Sequence, residues 1–113
     1  MLPQRIKQDS GKKDAGKRSP AHRKWVRGHA CSACGSMTAI ECAHVREGTD
    51  GGMGLKPSDW WTISLCKECH MLQHQIGEGS LVARHAMQPM KTLAREFIRK
   101  SPHRFKLSGW ESQ

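Results

Sequence analysis

The sequence predicts a small α+β domain in which two strands and a helix form the centre and further helices flank it. The chain has 113 residues, the size of one small domain. Residues 37–45 predict a short extended run, and the aromatic and β-branched residues of 60–65 are typical of a second strand. Residues 67–76 predict a helix that ends at Gly77 and Gly79. The order strand, loop, strand, helix therefore defines a core over 29–79.

Helices are predicted on both sides of this core. Ser19 as N-cap and Pro20 in the first turn predict a short basic helix over 21–27. Segments 81–87 and 90–100 predict two more helices. Apolar residues in the last one recur at spacings typical of a helix face that packs on a core, namely Met90, Leu93, Ala94, Phe97 and Ile98. We therefore place the domain at 19–107, with C-terminal helices over 80–100 and a tail over 108–113.

The charge of the chain is strongly positive and unevenly distributed. The sequence contains 19 Lys and Arg against 10 Asp and Glu, a formal net charge of +9. Residues 1–27 carry a net charge of +7, residues 28–79 carry −3 and residues 80–113 carry +5. Cationic segments on both sides of the centre suit a polyanionic partner, and we expect DNA. A carrier of hydrophobic ligands is not expected to have this charge.

The N-terminal segment 1–18 has few apolar side chains, so we expect a disordered basic arm. This arm either contacts phosphates or is a solvated tail. No apolar run approaches the roughly 18 residues needed to cross a bilayer, and residues 1–24 lack the apolar stretch of a signal peptide. We therefore expect a cytoplasmic protein with no membrane partner.

Four of the five cysteines form two Cys-x-x-Cys pairs, Cys31 with Cys34 and Cys66 with Cys69. Four thiolates match the tetrahedral coordination of a structural Zn²⁺, and four protein ligands leave no position open for a substrate. The hairpin between the pairs must then leave the zinc site and return to it. A redox dithiol is the alternative, but it leaves the second pair unexplained. Cys42 has no partner in this pattern.

Three histidines predict a second site. His70 and His74 lie four residues apart on a predicted helix and so share one face. His44 lies on the first predicted strand, which the hairpin could bring opposite that face. Grouped histidines beside a basic surface suit metal-assisted phosphodiester hydrolysis, in which a neutral imidazole deprotonates water. The other histidines are interpreted as ordinary surface or core residues: His22, His29, His85 and His103.

Several segments resemble a known family when taken together. They are CSAC at 31–34, AHVR at 43–46, GGMGLKPSD at 51–59, SLCKECH at 64–70 and QH at 73–74, with AHRKWVR at 21–27 and SPHR at 101–104. This combination resembles the HNH endonucleases of phages and prophages. It is most similar to a small subfamily that includes phage recombination-associated nucleases, and it covers residues 19–107.

The resemblance implies a ββα-metal finger, a treble-clef-like fold in which a hairpin and a helix hold one divalent cation and which enters the DNA minor groove. It implies that His44 is the general base and that His70 and His74 bind the catalytic cation, which could be Mg²⁺, Mn²⁺, Ni²⁺ or Zn²⁺. The expected function is a metal-dependent DNA endonuclease that hydrolyses phosphodiester bonds and is stabilised by the structural zinc.

The sequence departs from the family pattern at two positions. Ala43 stands where the family usually has an Asp or His ligand, so Glu41, Asp59 or water is the candidate third ligand. Trp61 stands at the middle Asn of the family motif, so His44 needs another orienting group, either Asp59 or a backbone carbonyl. These departures leave a non-catalytic zinc-finger DNA-binding accessory protein, in recombination or packaging, as the alternative function. A zinc-stabilised protein-interaction module is a third class, but it does not require basic flanks.

Five basic residues near these motifs are predicted to bind DNA. Arg23, Lys24 and Arg27 lie on the first predicted helix, Arg46 follows the first strand and Lys56 lies in the glycine-rich loop. Contacts of this kind bind phosphates, so they set the position of the DNA and carry no sequence information.

Overall fold

The computed structural model describes residues 16–51 and 55–112. Within these ranges the regular elements are α1 (Pro20–Val26), β1 (Ile40–His44), β2 (Thr62–Cys66), α2 (Lys67–Ile76), α3 (Glu78–His85) and α4 (Met90–Lys100), followed by 3-10 turns at Arg104–Lys106 and Trp110–Ser112. The α+β class predicted from the sequence is confirmed. No helix in the described part of the chain has the length and apolar character needed to cross a membrane.

Helix α1 begins as the sequence predicts. The Ser19 side chain accepts a hydrogen bond from the backbone N–H of His22 at 3.1 Å, and Pro20 occupies the first turn. This bond satisfies one of the N–H groups that have no partner inside the helix. Ser19 and His22 are both buried, so the cap fixes α1 against the rest of the domain.

The two strands form an antiparallel hairpin in which Ile40 lies opposite Cys66 and His44 lies opposite Thr62. All five residues of β2 are buried, because α1, α2 and α4 all contact this strand. The predicted extended run was too long at its start, since β1 begins at Ile40. The residue before it, Ala39, has a φ of 53°, and this left-handed conformation prevents the strand from extending back to residue 37.

Helices α2 and α3 follow each other with Gly77 alone between them. Helix α2 spans the predicted residues, but α3 begins at Glu78, so Gly79 lies inside a helix rather than in the predicted break. Gly77 has a φ of 87°, which only glycine adopts without strain, and it makes the whole turn between the two helices. Glu78 fixes the start of α3, because its side chain is hydrogen-bonded to the backbone after β1.

The core lies between the hairpin and α4. Met90, Ala94 and Ile98 of α4 are buried, and Leu93 and Phe97 pack against the same cluster, which confirms the predicted stripe. Strand β2 and the end of the loop that leads to it contribute further buried apolar side chains, including Trp60, Trp61, Ile63 and Leu65.

The described domain extends beyond the boundaries predicted at 19 and 107. The carbonyl of Gly16 accepts from the backbone N–H of Ser108 at 3.0 Å, and the carbonyl of Lys17 accepts from the backbone N–H of Asp59 at 2.8 Å. Trp110, predicted to lie in a tail, packs against the core. Residues 16–18 of the predicted arm therefore belong to the domain, and its residues 1–15 lie outside the described ranges.

Candidate functional site

The four cysteines of the two pairs meet at one end of the hairpin. Their sulfur atoms all lie within 4.8 Å of one another. Cys31 and Cys34 lie in the loop after α1, Cys66 ends β2 and Cys69 lies in the first turn of α2. In each pair the backbone N–H of the second cysteine donates to the sulfur of the first at 3.5 Å. The cluster could therefore hold a structural metal ion.

The distances within this cluster fit zinc. Tetrahedral Zn–S bonds of about 2.3 Å require sulfur atoms about 3.8 Å apart. The sulfur atoms of Cys34 and Cys66 lie 3.8 Å apart. Burial acts to raise the pKa of Cys31, but hydrogen bonds, chiefly from backbone N–H groups, outweigh it and lower the pKa to about 7. Burial and the neighbouring thiols raise the pKa of Cys69, so a bound cation is what would allow four thiolates to coexist.

Two hydrogen bonds to β2 position the loop that carries the first cysteine pair. The N–H of Ser32 donates to the carbonyl of Ser64 on β2 at 2.8 Å, and the Ser64 hydroxyl donates to the carbonyl of Ala30 at 2.6 Å. These two bonds hold the loop that carries Cys31 and Cys34 against the strand that ends in Cys66.

The three histidines singled out from the sequence line one hollow beside the hairpin, with a volume of about 390 Å³. We call it the histidine hollow. His44 comes from β1, and His70 and His74 come from α2, where their ring centroids lie 5.0 Å apart. Arg46 and Lys56, both exposed, also line the hollow.

His44 is hydrogen-bonded to a buried carboxylate. Its Nε2 lies 3.0 Å from Oδ1 of Asp59, and Oδ2 of that carboxylate accepts from the backbone N–H of Ser19 at 2.8 Å. The guanidinium groups of Arg18 and Arg23 lie 3.3 and 3.2 Å from the same carboxylate. Burial acts to raise the pKa of Asp59, but hydrogen bonds from His44 and Ser19 and the charge of Arg23 lower it below its ordinary value. Asp59 is therefore ionised, and Nδ1 of His44 is the ring nitrogen that could accept a proton from water.

His70 has a carboxylate partner as well. Its Nδ1 lies 2.8 Å from Oε1 of Glu41 on β1, which leaves Nε2 for another ligand. Glu41 and Asp59, the candidate third metal ligands, each contact a histidine, and Asp59 holds the position expected of an orienting group. Over residues 16–51 and 55–112, the cysteine cluster is the only set of three or more His, Cys, Asp or Glu side chains whose ligand atoms all lie within 4.8 Å. His70 and His74 could thus offer two ligands to a second cation, but no third ligand atom is assembled beside them in the described residues.

Sequence reasoning missed two side chains that support His44. The buried amide of Gln73 donates to the carbonyl of His44 at 3.1 Å and to Glu78 at 3.2 Å. The Glu78 carboxylate also accepts from the backbone N–H groups of Arg46 at 2.7 Å and Glu47 at 3.2 Å. These bonds fix the end of β1 to α2 and α3. The only signal in the sequence was the position of Glu78 directly after Gly77, and this position does not indicate which groups the carboxylate contacts.

The five basic residues predicted to bind DNA have different surroundings. Arg46 and Lys56 line the histidine hollow, while Lys24 and Arg27 are exposed at α1. Arg23 is paired with Asp59, so it supports the histidine site instead of presenting a free charge.

Comparison with known proteins gives one match. Residues 11–100 match a family model described as "Protein of unknown function (DUF968)". The matched range contains both cysteine pairs and every side chain of the histidine hollow. Neither the comparison with curated proteins nor that with solved structures gives a match. Since the matched range spans most of the sequence, the chain belongs to the DUF968 family.

Proposed function

We propose that this protein is a metal-dependent DNA endonuclease of the HNH type, with a structural zinc at the four cysteines. The observation that carries the proposal is the hydrogen bond between His44 and the buried Asp59, beside a hollow that His70 and His74 also line. A carboxylate partner fixes the orientation of an imidazole and stabilises its protonated form. A general base needs both effects.

The proposed reaction assigns a role to each of these side chains. Nδ1 of His44 takes a proton from a water molecule as the water oxygen attacks phosphorus, and Asp59 stabilises the imidazolium that forms. The bond from phosphorus to the leaving sugar oxygen breaks, and that oxygen takes a proton from solvent. His70 and His74 would hold a divalent cation, which would stabilise the charge that develops on the phosphate. Glu41 orients His70 through Nδ1, so that Nε2 would be the nitrogen free to bind the cation.

The charges around the histidine hollow favour a phosphate substrate. Arg46 and Lys56 are exposed and line the hollow, so they can contact DNA phosphates on either side of the bond that is cut. The buried Asp59 carboxylate nearby does not oppose this, because it is paired with Arg18 and Arg23. The net charge of +9 supports the same class of partner.

A plasmid nicking assay with Mg²⁺, Mn²⁺, Ni²⁺ or Zn²⁺ tests the proposal. His44→Ala is expected to keep the fold and the affinity for divalent cations but to lose cleavage by about 10²–10⁴-fold, the usual contribution of a general base. His70→Ala and His74→Ala are expected to lose cleavage together with cation affinity, and excess metal should restore part of it. His85→Ala is the matched control, because His85 lies on α3 and does not line the hollow.

Two results would contradict the nuclease. One is a wild-type protein that cuts with none of the four metals, and the other is a His44→Ala variant that cuts as fast as wild type.

A non-catalytic zinc-finger DNA-binding protein is the second candidate. The observation that favours it is Ala43, which is fully buried and has no ligand atom at the position where the resembled family binds its cation. Under this function the wild-type protein binds DNA in a salt-dependent way and never cleaves it, and His44→Ala leaves the affinity unchanged. Salt-dependent binding without nicking therefore selects this candidate.

A further inference from the structure

A cluster of aromatic rings lies where side chains of α1 and the following turn meet side chains of α4. Trp25, His29 and Phe97 pack edge to face, with centroid distances of 4.4 Å for Trp25–His29, 5.9 Å for Trp25–Phe97 and 5.2 Å for His29–Phe97. All three side chains are partly exposed. We call this cluster the aromatic ridge. It is separate from the histidine hollow, whose lining includes none of these residues.

Two open hollows border the aromatic ridge. One has a volume of about 650 Å³ and the other about 180 Å³, and Trp25 and His29 line both of them. Trp25 and His29 are therefore partly open to solvent on a concave surface, while Phe97 lines the smaller hollow and also packs against the core.

The surroundings of the ridge are cationic. Lys24 lines the larger hollow and Lys100 lines the smaller one, and both lysines are exposed. Among the residues that line the two hollows, Glu96 is the only acidic one. In the described ranges neither lysine takes part in an ion pair, so both charges are available to a ligand. The site therefore favours an anionic ligand that carries flat rings.

Local hydrogen bonds hold the ridge in place. Nδ1 of His29 lies 2.9 Å from the carbonyl oxygen of Trp25, one helical turn earlier, which fixes the His29 ring against the end of α1. Contact with Phe97 fixes the same surface to α4. Binding of a ligand here therefore costs little conformational entropy, because the protein side chains are already ordered.

We propose that the aromatic ridge binds unpaired nucleotides of single-stranded DNA. Bases stack on Trp25, and Lys24 and Lys100 contact the phosphates on either side. Stacking requires an exposed ring face and a base that is free of its own stack, which a single strand provides and an intact duplex does not. Binding at this ridge goes beyond the proposed nuclease activity and does not depend on it.

Phe105 is the rival platform for stacking. It is 82% exposed, and the Arg104 guanidinium lies 4.4 Å from its ring centroid. Phe105 does not line either of the two hollows, so it offers one isolated ring without the paired lysines. It therefore provides the matched control for Trp25.

The test measures binding of a labelled oligothymidylate and of a duplex of equal length to the zinc-loaded protein, with no added divalent cation. Trp25→Ala is expected to weaken binding of the single strand about 5- to 150-fold, the range that loss of one base–aromatic stack gives. Lys24→Glu and Lys100→Glu are expected to weaken it too and to flatten the salt dependence, by about 0.7 for each phosphate that the protein no longer touches. Phe105→Ala is expected to bind the oligothymidylate as wild type does.

Trp25 contacts Phe97, so its truncation also removes packing. Trp25→Phe keeps a ring and is expected to retain most of the affinity, while the tryptophan fluorescence quenching that bound oligothymidylate causes is largely lost. The lysine variants change exposed positions and keep the test decisive if Trp25→Ala fails to fold. The proposal is wrong if the lysine variants and Trp25→Phe match wild type in both affinity and quenching. It is equally wrong if Phe105→Ala has the larger effect, or if binding of the duplex and of the single strand weakens equally.

Discussion

Asp59 and His44 join the two sides of the candidate active site through a 3.0 Å hydrogen bond. His44 ends β1, whereas Asp59 is fully buried at the end of the long loop that leads to β2. The same carboxylate accepts from Ser19 at the start of α1. The orientation of His44 therefore depends on α1 and on the closure of the loop, as well as on the strand that carries it.

Asp59→Asn is expected to lower cleavage about 10- to 100-fold, the usual cost of losing the partner that orients a histidine. The amide can still accept a hydrogen bond, but it lacks the charge that stabilises the imidazolium. Loss of that charge also weakens the interactions with Arg18 and Arg23, so the free energy of unfolding should fall by about 1–3 kcal/mol. Nicking rates and urea unfolding measure the two effects separately.

Asp50→Asn is the control for this variant. Asp50 belongs to the same loop and its carboxylate accepts from Ser58, whereas the carboxylate of Asp59 is bonded to His44. Cleavage by Asp50→Asn should stay near the wild-type rate. If Asp59→Asn cuts as fast as Asp50→Asn, Asp59 has no role in cleavage.

The parts of the fold that were predicted correctly depend on local signals. Ser19 and Pro20 mark the start of α1, and the apolar spacing of 90–98 marks α4, because caps and periodicity act over one or two helical turns. The end of α2 at Gly77 was predicted correctly, but Gly79 was wrongly placed in the break, since a single glycine is tolerated inside a helix and Gly79 lies within α3. The start of α3 is instead fixed by bonds from Glu78 to backbone more than 30 residues earlier.

In the candidate sites, too, features with a local sequence signal were predicted correctly, and individual contacts between distant residues were not. The cysteine cluster was predicted because two tight pairs at one metal leave few alternatives. The convergence of the three histidines followed from the hairpin and from the spacing of His70 and His74. Their carboxylate partners were open alternatives, because a sequence does not show which of Glu41 and Asp59 faces which ring. Gln73 was missed altogether, since its role rests on a contact with the backbone of His44.

Cys66→Ser is expected to unfold the domain or cause it to aggregate. The change removes one candidate zinc ligand and also the sulfur that caps α2, and zinc binding in small finger peptides supplies about 10–16 kcal/mol of apparent free energy. Elemental analysis of the wild type should find about one tightly held zinc per chain.

Cys42→Ser is the matched variant for zinc binding. Cys42 lines the histidine hollow, outside the cysteine cluster, and burial raises the pKa of its thiol to about 11. We expect Cys42→Ser to retain its zinc and its fold. A Cys66→Ser protein that is well folded and free of zinc would show that the metal is not structural.

Glu78→Ala is expected to loosen the backbone that follows His44. Its carboxylate accepts from Arg46 and Glu47, and their N–H groups lose a charged partner in the variant. Amide hydrogen exchange at these two residues should accelerate, and the free energy of unfolding should fall by about 1–3 kcal/mol. Glu47→Ala, which removes an exposed side chain in the same turn, should leave both unchanged. Unaltered exchange in Glu78→Ala would mean that the carboxylate does not hold this segment.

The stability of the domain is expected to fall as the pH falls through the titration of His22. This ring is fully buried; its Nδ1 lies 2.8 Å from the Ser101 hydroxyl, and its Nε2 has no hydrogen-bond partner within the described residues. Burial lowers the pKa of His22 from 6.5 to about 4, although the Asp59 carboxylate acts to raise it and His103 adds a smaller lowering effect. The folded protein therefore keeps a neutral imidazole in a range where the unfolded chain is protonated.

Between pH 6.5 and about 4 the unfolded state binds more protons than the folded state at His22. The free energy of unfolding therefore falls as the pH falls through this window, by at most about 3 kcal/mol from this group. Urea unfolding at several pH values, with the zinc content checked at each, should show a steeper loss in wild type than in His22→Asn, which has no proton to gain. Asp59 contributes at lower pH, because its folded pKa lies below 3.8. Parallel profiles for the two proteins would mean that His22 is protonated without cost in the folded state.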